Sequence, residues 1–239
     1  LYLLIGLHVL RGQRSLWMPA SLLGILIPFH FSLITLAPSL LVLAYLQPER
    51  RQPESVSTPS PIPPAWNALI QRLAPLGITP VLVLAILLLI DFQPLTYLAD
   101  LKNSDHLLPL TVESDKTYHY SLFTLAHLHD VFNHYLLVAP APLIVLCFLG
   151  RGRTSPHPDR TFLFIAAFFP ILFTFFANPG VGTFRDWDAL AYPALPLTLW
   201  AALALISRIP ERTVLMHTGW LICGATFLHT CVWVGLNAD

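Results

Sequence analysis

Charge is what this 239-residue chain has least of: Asp, Glu, Lys and Arg make up 11% of it, and AVILMFWYC residues 55%. An ordinary soluble domain carries about 25% charged residues. A soluble fold of this length buries a large core, but so few charges do not cover its surface. Lipid is the solvent left for the remainder. Formal net charge is zero, so the basic field that nucleic acid requires of a partner is absent. Cysteine is scarce too: Cys147, Cys223 and Cys231 lie inside apolar runs at no metal-type spacing. That excludes a disulfide framework or a cysteine zinc site and marks the three as small buried core residues. No solenoid-type repeat period is visible. The chain opens at Leu1 within an apolar run, with no initiator Met, basic stretch or cleavage site. It reads as a piece of a longer protein beginning inside a span, not as a signal peptide.

What is present is a sorting of the few charges. Apolar runs are separated by short polar gaps, and arginines crowd into every second gap. The gaps 11–14, 48–52, 151–160 and 208–212 hold nine of the thirteen Lys+Arg residues. The gaps between them hold Lys102, Lys116 and Arg185, with Arg72 just ahead of an apolar run. Nine of the thirteen acids fall in the alternate set: Asp91, Asp100, Asp105, Glu113, Asp115, Asp130, Asp186, Asp188 and Asp239. Basic residues are retained on the cytoplasmic side during insertion. The alternation therefore predicts an integral protein of a bacterial inner (plasma) membrane, with loops 91–131 and 178–188 on the non-cytoplasmic side.

A span needs about 20 apolar residues. On that rule the expected fold is all-α, a polytopic membrane helical bundle of about eight membrane segments. Residues 1–47 form an N-terminal piece, a truncated span followed by a short re-entrant-like hairpin over 16–47. Proline disfavours helix at the preceding residue, which puts the hairpin apex at Pro28-Phe29-His30-Phe31. The Pro-rich stretch 48–64 reads as an extended cytoplasmic linker, and 65–239 as a C-terminal bundle with the outer loop 91–120. Within it, 65–74 reads as a short interfacial helix. Spans follow at 76–90, 136–149 (kinked by Pro140 and Pro142), 161–177, 189–206 and 213–236.

Two clusters on the outer side carry the candidate chemistry. In His127-Leu-His129-Asp130-Val-Phe-Asn133-His134, residues 127, 130 and 134 fall on one helical face. A carboxylate between two imidazoles at these offsets suits a divalent metal ion, while the sequence leaves the cofactor otherwise unknown. It equally suits a proton-transfer pair with Asp130 orienting His134, or an interfacial amphipathic helix whose polar face meets water. Ionisable groups at a membrane edge are functional candidates by default. The second cluster is Arg185-Asp186-Trp187-Asp188, in the turn after Asn178-Pro-Gly. A guanidinium fork suits phosphate or carboxylate, and Asp-x-Asp is a spacing that sugar-transfer enzymes use for a metal or an acceptor hydroxyl. The alternative is a structural cap, with Arg185 paired to Asp186 or Asp188 and Trp187 in the aromatic belt. His8, His217 and His229 lie within spans and read as helix-packing residues.

The hairpin with a proline-histidine apex, followed by short-looped spans, resembles the bacterial multispanning glycosyltransferases of the GT-C fold. Arg185-Asp186-Trp187-Asp188 opening a span, and Ser121-Leu-Phe to Asn133 preceding one, resemble bacterial membrane proteins grouped loosely with them. The resemblance implies sugar transfer from a polyprenyl-phosphate donor on the non-cytoplasmic face. Arg185, Asp186, Asp188, Asp130, Asn133 and His30 would then bind substrate. Membrane lipid and the lipid-linked sugar are the implied partners. The family's catalytic carboxylate generally lies in the first large outer loop, expected here upstream of Leu1, so the resemblance assigns no catalytic base to a numbered residue. Two other readings stand beside it: an ion- or proton-coupled transporter using His127, Asp130 and His134, and a non-catalytic membrane subunit.

Overall fold

The computed structural model describes residues 1–12, 15–46, 65–91, 93, 96, 107–111, 121–149, 157–178 and 190–236. Among these the chain is all-helical, with no strand beyond an isolated bridge between Leu107 and Ala177. The helices are α1 (Tyr2–Leu10), α2 (Trp17–Leu26), α3 (Ala37–Leu46), α4 (Ala65–Leu89), α5 (Leu125–Val138), α6 (Pro140–Leu149), α7 (Pro158–Phe176), α8 (Ala194–Arg208) and α9 (Arg212–Leu236), with a 3-10 segment at Phe31–Leu36. They fall into two compact units. The first is Leu1–Asp100 with His157–Phe169, and the second is Leu101–Pro156 with Pro170–Asp239. The division runs through α7 at its internal Pro170.

In the first unit, α1 ends where the basic gap begins. Gly12 takes φ +69, and its N–H donates to the Val9 carbonyl at 2.9 Å. A glycine just past a helix takes this left-handed turn at no steric cost. Helix also stops at the expected apex: α2 ends at Leu26, and His30 stands extended (φ −147, ψ 91) ahead of the 3-10 turn. The core is aliphatic with a small polar knot. Val9, Leu16, Ala20, Leu23, Leu40, Leu43, Phe162 and Leu163 are buried. Ser39 Oγ donates to the Leu36 carbonyl at 2.7 Å, so the Tyr2 hydroxyl donates to Ser39 Oγ at 2.8 Å. This pairing is what a buried hydroxyl requires.

The sequence reading of 65–90 is corrected. An interfacial helix followed by a separate span is expected, but one helix, α4, runs through both with Pro75 and Pro80 inside it. Proline removes single N–H donors here without ending the helix, and neighbouring hydroxyls can re-satisfy freed backbone groups. Thr79 Oγ1 donates to the Pro75 carbonyl at 2.6 Å. The helix terminates at Asp91, whose φ is +66, a conformation Asp tolerates better than most side chains. Helix α2 approaches α4 at Gly24. A Cβ there would collide with Thr79 Oγ1 and stand 3.0 Å from Pro80 Cδ and 3.1 Å from the Pro75 carbonyl. Small residues are what let apolar helices come this close.

In the second unit, the expected kink near Pro140 is a full break. Ala139 leaves helical geometry (φ −145, ψ 47), and α5 meets α6 at 103°. Leu122, Tyr135, Ala139, Val145, Leu190, Leu197 and Ala201 are buried in this unit. Helix α9 has no buried residue along its 25 positions.

The count of about eight membrane segments is corrected as well. Among the described residues two helices are long and apolar enough to cross a membrane, Pro158–Phe176 and Arg212–Leu236. A third joins them if the bent pair Leu125–Val138 and Pro140–Cys147 is one span. At 19 residues α7 extends about 28 Å, close to the hydrocarbon thickness of about 30 Å. The shorter apolar stretches, Trp17–Leu26, Ser32–Leu46, Leu73–Leu89 within α4 and Ala194–Arg208, have 10–17 residues, because turns cut runs that hydropathy alone reads as continuous. The cysteines are corrected too: Cys147, Cys223 and Cys231 are all exposed. Cys223 and Cys231 sit on α9, which buries no residue, and Cys147 sits on the open side of a helix that buries Val145, so an apolar neighbourhood in sequence did not mean a place in the core.

Candidate functional site

Helix α5 carries the first cluster and begins where the sequence provides a cap. Thr124 Oγ1 donates to the Ser121 carbonyl at 2.8 Å and accepts from the His127 N–H at 3.4 Å. Helical spacing then divides the residues among three sides. His127 and His134, two turns apart, are fully buried. Asp130 and Asn133 are half-buried, and His129 is exposed. Asn133 Nδ2 donates to His129 Nδ1 at 3.3 Å, which leaves the His129 proton on Nε2. The third side is apolar and open, formed by Leu125, Leu128 and Phe132.

Each buried histidine holds a backbone carbonyl. His127 Nε2 donates to Phe175 O at 2.9 Å, and His134 Nε2 to Leu190 O at 3.2 Å. The first bond answers a need of the helix end, because the last four carbonyls of a helix have no partner within it. In α7 the Leu108 N–H takes the Phe176 carbonyl at 3.0 Å, and His127 takes Phe175 beside it. Leu122 N–H in turn reaches the Pro109 carbonyl at 2.9 Å. The His127 ring also packs 5.4 Å from that of Phe175. One helix thus fastens the residue before and the residue after the segment that contains the second cluster.

Arg185, Asp186 and Asp188 themselves lie outside the described residues. Of the other candidates, Asp130, Asn133, His127 and His134 share α5 in the second unit. His30 belongs to the first unit, where it is exposed with its Nδ1 2.7 Å from Ser32 Oγ. The metal-ligand reading of His127, Asp130 and His134 does not fit this arrangement. No group of three His, Cys, Asp or Glu among the described residues is placed to hold a metal ion. The shared helical face was legible from the spacing of the histidines. Their partners were not, since they are main-chain carbonyls of residues with apolar side chains.

Comparison with protein-family models, with curated proteins and with solved structures gave no match.

Proposed function

We propose that this chain belongs to a bacterial inner-membrane protein of GT-C-like type, which transfers sugar from a polyprenyl-phosphate donor on the non-cytoplasmic face. The observation that supports the reading is the double fastening by α5. His127 and His134 hold Phe175 and Leu190, which flank the segment bearing Arg185, Asp186 and Asp188. In this reading the loop is held at both ends against the helix that carries Asp130 and Asn133. Arg185 then takes the donor phosphate as a guanidinium fork, while Asp130, Asp186 and Asp188 handle the acceptor. The two helices long and apolar enough to span give the protein its lipid setting.

The test is transfer from a polyprenyl-phosphate sugar in membranes carrying the full-length protein. Arg185→Ala and Asp130→Asn are expected to abolish transfer while the protein remains folded. Near-normal transfer in both variants would remove these residues from the chemistry and the reading with them.

A further inference from the structure

We propose that α5 lies in the plane of the membrane surface, with Leu125, Leu128 and Phe132 dipped into the acyl chains of the bilayer. This rests on the membrane reading above, but it concerns how the helix meets lipid rather than what it catalyses. Three observations on one unit carry it.

The first is how α5 is fastened. Its two buried histidines reach Phe175, in the last turn of α7, and Leu190, just ahead of α8. They stand about 10 Å apart along the helix axis. Where α7 crosses the bilayer, Phe175 marks the level at which it emerges. The charge alternation assigns 178–188 to one side, so in this reading the chain returns toward α8 from the same face. A helix bonded to both points runs across the ends of its neighbours rather than alongside them.

The second is the 103° bend to α6. The pair has the composition of one span but not the direction of one. If the apolar α6 runs into the bilayer, α5 turns out along its surface.

The third is the division of sides. Leu125, Leu128 and Phe132 are 84%, 41% and 57% exposed, on the side opposite the buried His127 and His134, with His129 and then Asn133 at one edge of the row. In water, such a row on a helix already carrying a buried side is a cost without a return. At a lipid interface it is the usual pattern: apolar side inserted about 5–10 Å and polar side facing the headgroups. The row also continues into the end of α7 through tilted and edge-on aromatic contacts. Phe123 packs 6.2 Å from Phe175, and Phe175 packs 5.5 Å from the exposed Phe176. A lipid surface therefore suits this row better than a protein groove.

The test is nitroxide accessibility in the full chain, reconstituted in phosphatidylcholine–phosphatidylglycerol vesicles with the three native cysteines replaced by alanine. Labels go singly on Leu125→Cys, Leu128→Cys, Phe132→Cys, His129→Cys and Asn133→Cys, with Phe227→Cys in α9 as the reference for a span. Oxygen is expected to relax labels 125, 128 and 132 preferentially and a nickel chelate the label at 133, with 129, at the edge of the row, between the two. The three apolar positions should share one shallow depth. A helix crossing the bilayer would separate 125 from 132 by about 10 Å of depth, and that result overturns the proposal. Chelate access at all five α5 positions, with position 227 still in lipid, overturns it too and leaves the membrane reading standing. Chelate access at position 227 as well sinks both.

Discussion

Arg11 Nη2 stands 4.0 Å from Asp159 Oδ2, an exposed guanidinium at the end of α1 facing a nearly covered carboxylate in the first turn of α7. His157 Nδ1 lies 3.8 Å from the same oxygen. These residues come from gaps far apart in the chain, 11–14 and 151–160, which charge sorting assigns to one side. The pair joins those gaps within the first unit.

The pair is unequal, which gives a prediction. Arg11 is solvent-exposed, and exposed ion pairs contribute about 0–1 kcal/mol. Asp159 also meets the positive end of the α7 dipole, worth about 0.3–1 kcal/mol more. Asp159→Ala is therefore expected to destabilise the protein more than Arg11→Ala, with a small coupling between them. Denaturant unfolding of the two variants and the double variant in detergent measures this. Equal losses contradict it.

Gly24 offers a sharper test of helix packing. Gly24→Ala drives a methyl group into Thr79 Oγ1, and overpacking of this kind costs about 1–3 kcal/mol. Thr79→Ala in the same chain removes the obstructing oxygen, so part of the loss should return. Additive losses in the double variant would mean α2 and α4 do not approach as described.

For the buried histidines the expected effect is loss of a hydrogen bond rather than loss of a ligand. His127→Phe keeps a ring in the slot and leaves the Phe175 carbonyl without its donor, at about 1–3 kcal/mol. His129→Ala, on the exposed side of the same helix, should stay within about 0.5 kcal/mol. Added zinc should not stabilise the protein, nor should that response change in His127→Ala. A zinc-dependent rise in unfolding temperature, abolished by His127→Ala, would restore the metal reading.

Tyr2→Phe deletes the donor to Ser39 and should cost about 0.5–1.5 kcal/mol. Ser39→Ala should cost more. It also takes the proton from the Leu36 carbonyl and leaves the Tyr2 hydroxyl buried. Thermal unfolding of both variants ranks the two, and the reverse order contradicts the network.

The hairpin apex was legible at Pro28–His30, because proline acts through backbone conformation and that effect is written in the residue itself. The Gly12 turn and the Thr124 cap act the same way but were not read from the sequence. Pro75 and Pro140 show where that fails. The same residue type leaves α4 continuous, whereas at Ala139 the helix breaks outright, because neighbouring contacts decide what becomes of a missing N–H. The number of spans was overcounted for a related reason: hydropathy measures how apolar a run is, not where it turns. In the site, 3.6-residue periodicity put His127 and His134 on one side, but it does not name the main-chain atoms that their Nε2–H groups meet. Both partners here are carbonyls, and a sequence does not advertise those.

The central claim is that α5 and the segment 178–188 belong to one membrane face, because His127 and His134 fasten the residues flanking that segment. The most direct measurement is labelling of His129→Cys and Asp188→Cys with a membrane-impermeant maleimide, in sealed vesicles of known orientation and with Cys147, Cys223 and Cys231 replaced beforehand. Both positions are expected to react from the same side and to be protected together in vesicles of the opposite orientation. Reaction from opposite sides would contradict the account.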